Sequence, residues 1–353
     1  MLKIERRFIQ KVRACKQAED LYEHLQAAIE LEHATIPPYL TAMYSIKPDR
    51  NQEARSILRS VVVEEMLHMV IAANVLNAIG GHPQVNKPDF IPTYPGTLPM
   101  NVGDGLVVGL APISKEIVKN VFMKIEEPED PLDFPSETVA LAAREEQYGT
   151  IGEFYQAIID KIQELGNPIF TGDSSRQVVN EQWFPSEELF PITDVDTAVA
   201  ALTLIVEQGE GTTKSPIDPE GQVAHYYRFA QIYEGNRLVK DPKAEGGFSY
   251  TGEAIPLEED GIWDLVVNST ASLYASGTKA RRLVDQFNYS YTNLLNVLHE
   301  TFNGFPDRLN TSMGVMYELK LQAQLMAEIE YAPLGKRVAP AFEYTTVNAP
   351  VTA

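Results

Sequence analysis

The chain holds a single cysteine, Cys15, among 353 residues. That excludes an intramolecular disulfide and any cysteine-cluster metal site. Positive charge is scarce: 29 Lys and Arg face 49 Asp and Glu, for a formal net charge of -20. Such a surface repels nucleic acid and anionic membranes, so neither is expected as a partner. No stretch offers the roughly 18 to 20 continuous apolar residues of a membrane span. The opening MLKIERRFIQKVRACKQAED is charged throughout and lacks the apolar core of a signal peptide. A soluble, cytoplasmic protein is the expectation. Internal repeats and low-complexity runs are absent, and no Ser/His/Asp constellation stands out by local motif. GDG at 103–105 lacks a phosphate-loop context and reads as a turn.

What is there is ordinary globular composition, 44% hydrophobic and 22% charged. Leu21, Leu25, Ala28, Ile29, Ile36 and Leu40 recur at three- and four-residue steps, which predicts a helix over about 17–46. Pro37 and Pro38 are expected to kink or interrupt it, because proline removes a donor and clashes with the preceding turn. A second helix is expected over about 50–79, stopping at Gly80-Gly81. Residues 83–135 are rich in proline and glycine and read as a long insertion. Helical periodicity returns over 136–166, with Gly149 and Gly152 as expected breaks, and again near 194–208, where Thr193, Asp194 and Asp196 signal the start. Further helices are expected near 220–234, 263–303 and 306–330. The reading is mostly α: one elaborated domain over 1–335 and an extended tail over 336–353.

The second helix poses a physical question. On its stripe Ile57, Val61, His68, Ala72, Val75 and Ile79, Glu65 falls directly in line, while Glu64 points about 100° away. Glu65 and His68 thus project inward together. A carboxylate facing a core without a partner costs several kcal/mol or protonates instead. The first helix repeats the oddity, since Glu32 completes the stripe Leu21, Leu25, Ala28, Ile36 and Leu40. Near 194–208, Ala200, Thr203, Glu207 and Glu210 fall on one side of the wheel; in the next helix Gln222, His225, Phe229 and Ile232 line up. Four helices each turning carboxylate or imidazole inward is the donor set of a dinuclear non-haem iron or manganese site. Glu32 fits one lone carboxylate, Glu65 and His68 a Glu-x-x-His pair, and Glu207 the second lone carboxylate. QVAH departs from the pattern, with Gln222 where Glu is expected; Glu210, one turn beyond Glu207, can supply the missing carboxylate beside His225, with Gln222 itself or Glu207 alone as the alternatives.

The segments AIELEHATIPPYLTAMYSI, VVVEEMLHMVIAANVLNAIGGHP, IVEQGEG and AHYYRF carry a family resemblance, with weaker echoes in FIPTYPGTLP, FMKIEEPEDP, YGTIGEFYQAI and NGFP. Together they resemble the ferritin-like domain of the iminophenylpyruvate dimer synthase type, found in enzymes of violacein and related bisindole biosynthesis. The resemblance covers about 20–330. It implies a ferritin-like four-helix bundle elaborated with extra C-terminal helices and the long proline/glycine-rich insertion. It also implies metal residues Glu32, Glu65, His68, Glu207 or Glu210, and His225, holding two ions: iron, with manganese as the alternative. The expected function is an oxidase or oxygenase that uses dioxygen on a small, amino-acid-derived aromatic substrate, in a chain that can form a homo-oligomer. The insertion is then the expected lid or pocket wall.

Blander readings stand beside these. An isolated Glu-x-x-His is more often a surface turn, and Glu32 can be a cap or an ion-pair partner. His33 reads as a solvated residue or one supporting a ligand, and His24, His82 and His299 as structural or exposed. Tyr39 and Tyr148 can donate to the site or simply pack. Arg144, Arg281 and Arg282 can bind a carboxylate or pair at the surface. The competing functions are iron handling, as a ferroxidase or store, and a metal-free scaffold that binds a partner.

Overall fold

The computed structural model describes residues 4–103, 105–128, 148–149, 151–211, 215–218 and 221–346. Arg144 and the helix expected over 136–147 lie outside the described residues, as do part of the insertion, the side chain of Tyr148 and the last residues of the tail.

Nine helical segments carry the described fold. They are α1 (Arg6–Ala14), α2 (Ala18–Tyr44), α3 (Gln52–Ala78), α4 (residues 115–125), α5 (Ile151–Leu165), α6 (Val195–Glu210), α7 (His225–Glu234), α8 (Lys279–Phe302) and α9 (Leu309–Ala327). Three two-residue antiparallel ribbons complete it. Ile4–Glu5 (β1) pairs with Tyr148–Gly149 (β2), Val239–Lys240 (β3) with Phe248–Ser249 (β4), and Glu330–Tyr331 (β5) with Lys336–Arg337 (β6). α2 lies along α3 and α5 along α6, while α3 also meets α6 and α7. α8 and α9 form a hairpin whose inner face packs on α2 and α3.

The α2 and α3 stripes read from the sequence are core. Leu21, Leu25, Ala28, Val61, Ala72 and Val75 are fully buried. By composition and length α3 is apolar enough to cross a membrane, but 83% of that stretch is buried inside the protein. It is the central helix of the bundle, built to be covered on every side.

Several expected boundaries shift. α2 runs through Pro37 and Pro38 without a break. Pro38 has no N–H for the carbonyl of Ala34, and the hydroxyl of Tyr94 donates to that carbonyl instead at 2.7 Å. The insertion thus supplies the bond that proline removes. Gly152 is no break but sits in the first turn of α5. α7 begins only at His225, so Gln222 lies in a turn before it, its N–H donating to Asp218 Oδ1. α8 begins at Lys279 rather than near 263, because the preceding backbone bonds to distant chain: Trp263 N to Ser45 O, Asn268 N to Leu110 O and Val266 N to Arg337 O. Beyond residue 335, Val338, Ala339, Ala341 and Phe342 are buried against the core.

Candidate metal centre

Three buried side chains from α2 and α3 converge first. Glu65 and His68, one turn apart on α3, face Glu32 on α2. His68 Nδ1 stands 3.5 Å from Glu32 Oε2 and 4.0 Å from Glu65 Oε1. The first residue of α7 approaches from the other side: His225 Nδ1 stands 2.9 Å from the same Glu65 Oε1 and 3.5 Å from Glu126 Oε2. The two imidazoles lie 5.5 Å apart, 26° from parallel. Glu65 is therefore shared, with one oxygen between two histidines and the other accepting from Thr35 Oγ1 at 2.7 Å.

Glu126 was not legible as a site residue. It follows α4, which opens with Ser114 capping Ile117 N and widens into π-type turns over Val118–Phe122. Such widened turns often accompany functional sites. Ile117, Val121 and Ile125 are packed on the core at helical spacing, which was the one available signal inside the proline-rich insertion.

The outer face of each group is also satisfied. The hydroxyl of Tyr155 donates to Glu32 Oε1, and that of Tyr39 to Glu126 Oε1. Tyr39 therefore packs and donates at once. His68 Nε2 donates to Gln208 Oε1 at 2.9 Å, and His225 Nε2 to Glu64 Oε2 at 2.9 Å. Arg228 Nη1 holds the other oxygen of Glu64 at 2.6 Å. Both histidines thus turn Nδ1 toward the carboxylates.

Charge decides what this cluster needs. Burial, then the neighbouring charge of Glu126, pushes the Glu65 carboxyl up to about 7. Burial disfavours the charged forms of His68 and His225, but the carboxylates outweigh it: Glu32 and Glu65 raise His68, and Glu126, Glu64 and Glu65 hold His225 well above the ordinary imidazole range. Against burial, His225 and Arg228 hold Glu64 down at about 2. The interior is asking for positive charge between its carboxylates. His225 Nδ1 is fully buried and lies within 2.9 Å of Glu65 Oε1 and 3.5 Å of Glu126 Oε2. Buried ring nitrogens and carboxylate oxygens converging on one point suit a cation between them.

Among the described residues two groups can each hold a metal ion: Glu32, Glu65 and His68, and Glu65, Glu126 and His225. The donors are oxygen and imidazole nitrogen, which suits iron or manganese.

The sequence assignments fare unevenly. Glu32, Glu65, His68 and His225 come together. Glu207 and Glu210 fall in neither group. The buried stripe of α6 runs through Ala198, Ala201, Ile205 and Gln208, about 100° from the face assigned to Glu207. Glu210 lines the cavity beside the cluster, and its Oε1 accepts from Gly152 N at 2.8 Å. Gln222 is exposed, with its carboxamide oxygen 3.4 Å from Arg228. Glu126, rather than Gln222 or Glu210, is grouped with Glu65 and His225. His33 is buried rather than solvated, packed on Phe90 and hydrogen-bonded through Nε2 to the hydroxyl of Tyr291 at 2.6 Å.

Comparison with known proteins agrees with this architecture. A family model described as Ferritin-like matches residues 25–234, which includes every residue of both groups. The chain is 25% identical over 312 residues to dichlorochromopyrrolate synthase of Lentzea aerocolonigenes; the match covers 82% of this chain and 30% of that protein. In fold it is similar to the crystal structure of a ferritin-like protein from Caulobacter vibrioides. The TM-score is 0.59 at 22% identity, over 92% of this chain and 97% of the other. The resemblance read in the sequence is met at the level of fold and family: the chain belongs to the ferritin-like family.

Proposed function

We propose that this protein is an oxygen-activating oxidase or oxygenase with a dinuclear iron centre, acting on a small, amino-acid-derived aromatic molecule. The observation that carries the reading is Glu65, whose single oxygen lies between two imidazole nitrogens, each with its own further carboxylate. The relation to dichlorochromopyrrolate synthase supports biosynthetic chemistry over storage. Glu32, Glu65 and His68 would hold one ion, and Glu65, Glu126 and His225 the other. Two ferrous ions there would supply the pair of electrons that dioxygen reduction takes.

The chain's own groups set the conditions for that chemistry. Glu32, Glu65, His68 and Glu126 themselves line a cavity of about 40 Å³, whose remaining wall includes the apolar side chains of Leu31, Ile125, Ile151, Ile205 and Val206. That space suits dioxygen, being on the scale of one or two water-sized molecules. The insertion contributes Ile125 and Glu126 to its wall. Tyr39 and Tyr155 stay neutral, since burial and then the nearby carboxylates raise both well above the usual phenol range. Each holds its proton against a carboxylate and fixes that carboxylate's rotamer.

The test is to reduce the iron-loaded protein without oxygen, admit oxygen, and follow the spectrum with and without pooled aromatic amino and keto acids. Uptake that stops at about two irons per chain, with an oxygen reaction that changes when substrate is present, is the expected outcome. Uptake of many irons with a mineral core would replace this reading with iron storage. No uptake at all would leave a metal-free scaffold.

A further inference from the structure

The nearest donors of the two groups are matched. Each has a share of Glu65, one carboxylate held by a buried tyrosine, and one histidine Nδ1. What differs is behind the histidines. His68 Nε2 donates to the neutral carboxamide of Gln208. His225 Nε2 donates to a carboxylate, Glu64, whose second oxygen is pinned by Arg228, itself bonded to Ser60 and to the carbonyl of Val223. His68, Gln208, His225 and Arg228 of this network are buried, and Glu64, Ser60 and Val223 are partly exposed.

We propose that the two metal positions are inequivalent by construction, with Glu64 as the positioning residue that makes the His225 position bind first and more tightly. The inference rests on the dinuclear reading above. A hydrogen bond to an ionised acceptor is roughly twice as strong as one to a neutral amide. It fixes the proton on Nε2, leaves the Nδ1 lone pair for the ion, and pushes electron density toward it. Arg228 keeps Glu64 ionised and oriented through the oxygen that His225 does not use. Gln208 fixes the same tautomer on His68 without the charge. Glu64 thus acts through His225, although its side chain is turned away from the stripe that carries the ligands. The order of filling follows: the ion at Glu65, Glu126 and His225 first, then the ion at Glu32, Glu65 and His68.

The experiment strips the full chain of metal and titrates it with zinc, a diamagnetic and redox-silent probe. Heat is read by calorimetry and the site by histidine ¹⁵N resonances, assigned with His68→Asn and His225→Asn. Two steps are expected, with the His225 Nδ1 resonance moving in the first and that of His68 in the second. Glu64→Gln should weaken the first step by about 10- to 100-fold. Gln208→Glu should tighten the His68 step, and this variant carries the test even where Glu64→Gln folds poorly. Both resonances moving together, or His68 moving first, would overturn the inequivalence while leaving two ions per chain. So would a Gln208→Glu variant whose second step is unchanged. A chain that takes up no zinc at any concentration would instead overturn the dinuclear reading itself.

Discussion

Glu126 is the residue on which the site turns. It lies 3.5 Å from His225 Nδ1 and comes from a stretch with no long helical pattern around it. Replacing it with Ala should cut metal content from two ions per chain to one, whereas Gln222→Ala should keep both; elemental analysis of the two purified variants checks this. Glu210→Ala should act elsewhere. It removes the acceptor of the Gly152 amide in the first turn of α5 and should cost about 1 kcal/mol, read as a shift in the denaturation midpoint. Glu32, Glu65 and His68 were legible because each interrupts an otherwise apolar stripe, and a polar group there needs a reason. Glu207 lies off the buried stripe of α6; Val199, Ile205 and Val206 make that helix apolar on more than one side, so its wheel could be phased either way. No local pattern could have shown that Gln208, not Glu207, turns toward His68.

At the scale of elements, the insertion does two jobs that a helix count does not reveal. Through Ile125 and Glu126 it closes one wall of the centre; through Tyr94 it repairs α2 where Pro38 leaves the Ala34 carbonyl without its donor. The break expected at Pro37-Pro38 fails for that reason. Such a repair is tertiary and leaves no trace in local periodicity. Tyr94→Phe removes one hydroxyl and nothing else from a buried position. It should cost about 1–3 kcal/mol, the penalty for a carbonyl left unsatisfied, and a denaturant midpoint would show it. Helix starts were legible where the cap is local, as at Asp194, whose side chain accepts from Thr197 N at 2.9 Å. They were not legible at α7 and α8, where the preceding residues bond to other parts of the chain or to a turn.

At the scale of the whole molecule, folding places several acidic groups in one interior within a chain that already carries a net charge of -20. Without an ion, protons on His68, His225 and Glu65 must offset them. The sign follows from the shifts. Folded pKa values raised above the ordinary 6.5 for the two histidines, and above 4.5 for Glu65, stabilise the fold at low pH, and that stability is lost as pH rises through the raised values. The chelated protein should therefore lose stability from about pH 4.5 to 7 as Glu65 ionises, and further above about pH 6.5 as the histidines do, with a slope of up to about 1.4 kcal/mol per pH unit for each proton involved. The metal-loaded protein should not, because the ions replace those protons; uptake should release protons and weaken as pH falls. Denaturation midpoints between about pH 6 and 9, with and without chelator, separate the two cases.

The central claim is that Glu65 would be shared by two ions, one held with Glu32 and His68 and the other with Glu126 and His225. Anomalous diffraction at the metal edge, on crystals of iron- or manganese-loaded protein, tests it most directly. Two peaks per chain are expected, one against Glu32 and His68, the other against Glu126 and His225, with Glu65 touching both. A single peak, a peak at Glu207 or Gln222, or none at all would contradict it.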